Sequence, residues 1–373
     1  MTKFTYKVIT YQELKDGTYK NAYIPQDSKF PVTSHLTPFL RDALITCPGN
    51  NDDTKTFLNV CVDEEGKEIG RDFRFGTRIK AGDRVYAAGT GGGFEVIEEY
   101  RKEGVGADLM LMTLYNNEYD FLLAAGISQM IFPMFRRLKY HLFEVPQYYK
   151  ARNARYIIRL KAPKGHSLKQ RLKQSERLYT IALKVKDVPN IIKCFKLKKK
   201  FVIKKETIVP EWVSEMVAND GHKFMEVHDR EWFQWNLDHN TYGYDQDIQA
   251  FYSIWDRNNK PMGFFMTKER IIKKPGPNNG FVIGTVVEWE SCDKIVLSET
   301  DINLLANQTF SKNVDVIFTL ACDSETENQL KKMGYCKRAS FKAGIKDKKK
   351  QFKDIGDKSL WRLRYGYTNM IIL

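Results

Sequence analysis

The stretch Val96-Ile97-Glu98-Glu99-Tyr100-Arg101-Lys102-Glu103-Gly104-Val105-Gly106-Ala107 joins the end of a strand-like run to the start of a helix-like one. Its two glycines let the main chain pass close to a ligand. A helix start supplies unpaired N–H groups and the positive end of the helix dipole. Such a junction suits an anion, and a pyrophosphate in particular. Taken alone, the motif reads equally well as a plain strand-to-helix turn with glycines for steric reasons. Two other candidates carry less. His222, His228 and His239 match no helical or zinc-ribbon ligand spacing and have no cysteine nearby, so no metal is expected. Gly89-Thr90-Gly91-Gly92-Gly93 lacks the Lys-Ser or Lys-Thr of a nucleotide loop and reads as a flexible bend or bulge before the next strand.

The elements that must position this junction alternate twice along the chain. Strands are expected at 4–10, 56–62, 72–79, 83–88 and 93–97, then a helix at 104–115, a buried strand at 119–125, a helix at 130–138 and a strand at 140–149. Residues 31–43 read as mainly helical. A charged helical segment, 166–193, bridges to a second series. There a strand at 201–209 precedes a helix opened by Pro210 and a tryptophan-rich helix at 229–237. A hairpin at 248–255 and 262–271 follows, then a loop at 274–280 and a strand at 281–289. Helices at 301–310 and 324–333 alternate with strands at 314–321, 335–343 and 361–370.

The two series align without a gap. Asp120 and Asp315 stand 195 residues apart, as do Tyr140 and Tyr335, with strand, helix and strand in the same order between them. Duplication explains this most simply. The fold class is mixed α/β (α+β): two repeats, each a mostly antiparallel mixed sheet flanked by helices. Residues 1–165 form the first unit, 166–200 a helical linker and 201–373 the second unit.

Composition sets the outer limits. The chain has 373 residues, 42% of them hydrophobic and 13% aromatic, enough to bury a substantial core. The six cysteines are scattered and read as reduced thiols. With no signal-like run at the start and no apolar stretch of about 18–20 residues, a cytoplasmic protein without a membrane span is expected. The net charge of +14 suits phosphate-rich ligands, anionic substrates, nucleic acid or a membrane surface alike. Much of it lies in lysine clusters at 193–205 and 342–353, read as solvated surface.

Arg101-Lys102-Glu103-Gly104-Val105-Gly106, preceded by Val96, resembles the phosphate loop of the GNAT superfamily: Arg or Gln, two residues, Gly, one residue, then Gly or Ala. Glu98 stands where the family usually has proline. Phe135 to Tyr140 is similar to the family's Tyr-x-x-x-Gly-Phe ending, with Phe135 in place of the tyrosine acid. The resemblance implies that the amides of Lys102, Glu103, Gly104, Val105, Gly106 and Ala107 bind the diphosphate of acetyl-CoA. Arg101 and Lys102 would add charge, and Phe94, Glu95, Val96 and Ile97 would lie along the pantetheine arm. It further implies direct attack of an amine on the thioester, with a carboxylate or ordered water taking the proton. Glu95 is the first candidate base, although it reads equally as a surface glutamate. Tyr140 or Tyr115 would replace the missing acid if the fold brings either close.

At the 195-residue offset the loop maps onto Val296-Leu297-Ser298-Glu299-Thr300-Asp301. Two acidic residues replace the glycines, so the second repeat should not bind coenzyme A in the usual way. The aromatic span Trp232, Phe233, Trp235, Tyr242, Tyr244, Phe251, Tyr252 and Trp255 reads as core packing, with a substrate wall as the sharper alternative. The leading expectation is an N-acetyltransferase with an unidentified amine acceptor. An aminoacyl transferase resembling the Fem family, using charged tRNA, and a non-catalytic acyl-CoA-binding module are the alternatives; nucleic acid is not an expected partner.

Overall fold

The computed structural model describes residues 4–19, 38–50, 52–115, 118–129, 131–161, 168–239, 248–272, 279–338 and 340–367. Its elements run in two series. The first comprises β1 (Thr5–Thr10), α1 (Tyr11–Lys15), α2 (Pro38–Ile45), β2 (Thr56–Val62), β3 (Glu68–Ala81), β4 (Arg84–Val96), α3 (Val105–Tyr115), β5 (Phe121–Ala125), α4 (Phe132–Arg137), β6 (His141–Val145) and β7 (Gln147–Ala151). Helices α5 (Ala154–Lys161), α6 (Leu168–Lys186) and α7 (Val188–Lys200) then lead to the second series. That series is β8 (Phe201–Glu206), α8 (Trp212–Ala218), β9 (Phe224–Glu226), α9 (Arg230–Asp238), β10 (Ile248–Asp256), β11 (Pro261–Ile271), β12 (Val282–Ser291), α10 (Glu299–Asn307), β13 (Val316–Leu320), α11 (Ser324–Lys332), β14 (Cys336–Lys337), β15 (Phe341–Asp347) and β16 (Trp361–Arg362).

Two mixed sheets result. The first has the order β1-β2-β3-β4-β5-β15-β6, with β9 joined to β3 and β16 to β9; the second has the order β14-β7-β13-β12-β11-β10-β8. Strands thus cross between the series: β9, β15 and β16 of the second join the first sheet, and β7 of the first joins the second. β15 lies between β5 and β6, pairing Ala343 with both Ala125 and Phe143. β7 lies between β13 and β14, pairing Ala151 with Val316 and Tyr149 with Cys336. The single strand expected at 140–149 is therefore two. Pro146, which has no N–H to give a ladder, falls between them, and the chain changes sheets there.

Internal symmetry survives in the pairing. β4 and β5 run parallel, with Ala88 opposite Phe121; β12 and β13 run parallel, with Ile283 opposite Val316. Ala88 and Ile283 are 195 residues apart, as are Phe121 and Val316. The glycine run is not a bend ahead of a strand but part of β4 itself, which continues from Arg84 to Val96. The expected strand at 361–370 shrinks to β16; residues 368–370 lie outside the described residues, as do 31–37 of the first expected helix and 274–278 of the expected loop.

Among the described residues, five buried apolar clusters hold the sheets and helices together. Trp232, Phe233 and Phe251 join the largest buried cluster, while Trp235 caps another and donates its indole N–H to the Ala43 carbonyl at 2.8 Å. Packing thus accounts for these side chains; Tyr242 and Tyr244 lie outside the described residues.

Candidate functional site

β4 hydrogen-bonds to β5 only over Ala88–Thr90, then leaves it and follows β3 to the pairing of Val96 with Gly70. The departure is made by a register shift opposite Arg71–Phe73 and by Gly93, which sits at φ +57° with its α-carbon against the Phe73 ring. A side chain there would meet that ring, so glycine is required on both counts. Between the splayed strands lies a cavity of about 160 Å³. Gly91 to Phe94 form one wall, Leu122 to Ile127 the other, and Met110, Thr113, Phe135 and Tyr140 face it from the helical layer.

At one end of the splay the chain turns through a short 3₁₀ segment, Glu98–Tyr100, and reaches Gly104 at φ +86° before α3 begins. The Glu103 and Ala107 amides are taken by the carbonyls of Tyr100 and Gly104, at 3.1 and 2.8 Å. Among the described residues, the amides of Lys102, Gly104, Val105 and Gly106 donate no hydrogen bond to the main chain. These are the orphan donors of a helix start, gathered on an exposed turn. Val105 and Leu109 anchor the helix from below in a cluster with Val96 and Ile97.

The residues singled out in the sequence separate into three groups. Phe94 lines the cavity, and Arg101 to Gly104 form the exposed turn beside it. Val96 and Ile97 turn their side chains into the core with Cys61 and Ile69, leaving only their backbone near the cleft. Glu95 does not line the cavity: its carboxylate pairs with Arg101 at 3.1 Å, while Arg101 also donates to the Val96 carbonyl. Tyr140 does line it, its ring edge-on to Phe135 at 4.8 Å, whereas Tyr115 is exposed at the far end of α3. Burial pushes the Tyr140 hydroxyl well above its ordinary range, with the Asp72 charge adding to the effect.

Asp72, Arg74, Thr90 and Thr113 were not singled out in the sequence, yet all four face the cavity and are buried. Thr113 donates to Asp72 at 2.5 Å. Burial raises the Asp72 carboxyl, offset in part by Arg74 and by that hydrogen bond. Arg74 Nε and Nη2 and Thr90 Oγ1 have no hydrogen-bond partner. A signal existed: Asp72 and Arg74 stand two apart, alternating with Phe73 and Phe75, which on a strand directs the two charges to one face.

The second splay is built differently. Ser298 caps α10 by accepting from the Asp301 amide at 3.2 Å, and Asp301 returns the bond to the Ser298 amide. Burial alone would raise the Glu299 carboxyl, but Arg364 and Lys294 hold it at about 2. The chain from Leu363 to Gly366 runs between the strands: the Gly366 amide donates to Val287, and Cys322 Sγ contacts the Leu363 carbonyl. Beside it, Arg362 is enclosed by Glu288 at 2.8 Å, Glu290 at 3.4 Å and Asp220 at 3.8 Å. His228 bridges Glu288 and Glu226 at 2.8 and 3.2 Å and stacks on Trp232. His222 instead pairs with Asp220, and His239 contacts Thr46, so the three histidines do not meet.

No family model and no curated protein matches the sequence. Solved structures do match in fold. Saccharomyces cerevisiae N-myristoyltransferase with bound myristoyl-CoA superposes with a TM-score of 0.53 at 12% identity, over 93% of this chain and 83% of that one. A GCN5-related N-acetyltransferase from Anabaena variabilis gives 0.52 at 11% identity, over 93% and 73%. A probable N-acyltransferase of unknown function from Enterococcus faecalis gives 0.52 at 12%, over 92% and 72%. The chain therefore has the GNAT fold. It carries that fold as two tandem repeats with interchanged strands, the second repeat having a degenerate loop.

Proposed function

We propose that the chain is an acyl-CoA-dependent N-acyltransferase whose donor site lies in the first repeat. One observation carries the reading: a splayed parallel strand pair opens a cavity beside a helix start with four unengaged amides. The solved structures of like fold include one holding myristoyl-CoA, which supports the same class of donor.

In this reading the amides of Lys102, Gly104, Val105 and Gly106 hold the donor's diphosphate, with Arg101 and Lys102 adding charge. The β4 backbone from Gly92 to Val96, past the last pairing with β5, offers main-chain partners to the pantetheine arm. The thioester then falls in the cavity. As the amine forms its C–N bond and the C–S bond breaks, Tyr140, kept protonated by burial, gives its hydroxyl proton to the departing thiolate. Asp72 reaches the cavity beside Gly91 and is placed to take the amine's proton. Glu95 stays the alternative base, at the price of its bond to Arg101. Positioning supplies much of the rest, because a thioester is already activated.

Replacing Gly104 and Gly106 together by aspartate tests the donor site. The change adds two negative charges and strains a left-handed residue, yet no heavy atom lies within 4 Å of a Cβ at Gly104. Calorimetry should show coenzyme A binding lost while circular dichroism is unchanged. Unaltered affinity in a folded variant would remove the assignment.

A further inference from the structure

A buried guanidinium without hydrogen-bond partners on two of its nitrogens is a rarity that calls for an explanation. Arg74 is 1% exposed and lines the cavity; among the described residues no carboxylate lies within 4.0 Å of it, and the more distant Asp72 charge in the same wall acts on it. Its Nε and Nη2 form one edge of the guanidinium fork, the edge that receives a carboxylate in a bidentate pair. Thr90 Oγ1, fully buried in the same wall, is also without a partner. Tyr140 adds a second hydroxyl.

Asp72 offers the cavity acceptors, but Thr113 already engages one of its oxygens. Against the one carboxylate of Asp72, the lining sets the Arg74 guanidinium and the hydroxyls of Thr90 and Tyr140, and Lys346 lies 5.9 Å from the centre of the Tyr140 ring. Donors thus outnumber acceptors in the cavity.

Position along the strands says which part of a donor would meet these groups. Arg74 pairs in register with Gly91 and Thr90 faces Leu123, on the far side of the Gly93 bulge from the Gly104 turn. A donor entering from Gly104 along β4 thus presents its acyl group, not its phosphates, to Arg74 and Thr90. A long unbranched alkyl chain there would leave the guanidinium dry and unpaired, a large penalty.

We infer that the acyl group is short and ends in a carboxylate, which Arg74 receives through Nε and Nη2 with Thr90 beside it. This deepens the donor-site reading and rests on it.

Calorimetry of the full chain with coenzyme A, acetyl-CoA and succinyl-CoA separates the two. Succinyl-CoA should bind at least about tenfold more tightly than acetyl-CoA, as a charge-assisted bidentate pair implies. In Arg74→Met that ratio should fall to near one. Equal wild-type affinities would overturn the inference while leaving the donor site standing, and this comparison needs no variant to fold. A ratio that persists in Arg74→Met would overturn it too. Tighter binding of myristoyl-CoA than of succinyl-CoA would replace it with a long-chain acyl site. Failure of all three coenzyme A species to bind would remove the donor-site reading itself, and the inference with it.

Discussion

Two splayed strand pairs of common pattern have met opposite fates in this molecule. Between β4 and β5 the gap is a cavity, the helix start beyond it keeps four amides free of main-chain bonds, and Arg74 has two nitrogens without hydrogen-bond partners. Between β12 and β13 the gap holds the chain from Leu363 to Gly366, the helix start is capped by its own Ser298, and Arg362 is surrounded by three carboxylates. The difference lies in what fills a duplicated gap. In the second copy the chain's own segment and three carboxylates occupy it, although Glu290 Oε2 and Arg364 Nε still lack hydrogen-bond partners, as Arg74 and Thr90 do in the first.

The same substitution made in both gaps should break the comparison most visibly. Arg362→Met strands several buried carboxylates and should lower unfolding free energy by about 3–5 kcal/mol in urea titrations. Arg74→Met removes a guanidinium that has no ion pair within 4.0 Å among the described residues and only partly offsets the burial of Asp72, and should cost clearly less, about 1 kcal/mol or below. Similar losses at both sites would mean that Arg74 is structurally compensated and that the contrast fails.

A pH titration sharpens the second gap. Burial alone would lower His228, but Glu288 and Glu226 hold its imidazolium up to about 9 from an ordinary 6.5. A raised folded-state value stabilises fully below the unfolded value and fades as pH climbs through the folded one. Stability should fall by on the order of 3 kcal/mol between pH 6.5 and 9.5. His228→Gln should flatten that slope; a slope retained in the variant would assign it to other groups. The smallest effect belongs to the cap: Ser298→Ala should cost about 1 kcal/mol. Calorimetric stoichiometry should stay at one coenzyme A per chain, since the gap behind that helix remains filled.

Much of the first gap was legible because its signals are local. Arg101 to Gly106 carries its meaning in consecutive residues, and the glycine run marks the bulge, although the run falls inside β4 rather than before it. The 195-residue offset was likewise readable and reappears in the strand pairing. What stayed hidden depends on contacts distant in sequence. Residues 140–149 look like one strand, because nothing near Pro146 says that its two sides join different sheets. Phe94, Val96 and Ile97 look equivalent on paper, yet Phe94 reaches the cavity from the edge of the core cluster in which Val96 and Ile97 are buried. Asp72 and Arg74 sit on an ordinary strand, and only the placement of α3 and β5 makes their face a cavity wall.

The traded strands bear on how the molecule comes into being. Until residue 347 has left the ribosome, no strand can fill the space between β5 and β6, so the first sheet waits on the synthesis of most of the second series. Contacts of such long reach slow folding and leave naked sheet edges open to wrong partners meanwhile. Any shortened version ending before β15 would lack a central plank of the first sheet, whereas two separately made pieces could recover it only by finding each other.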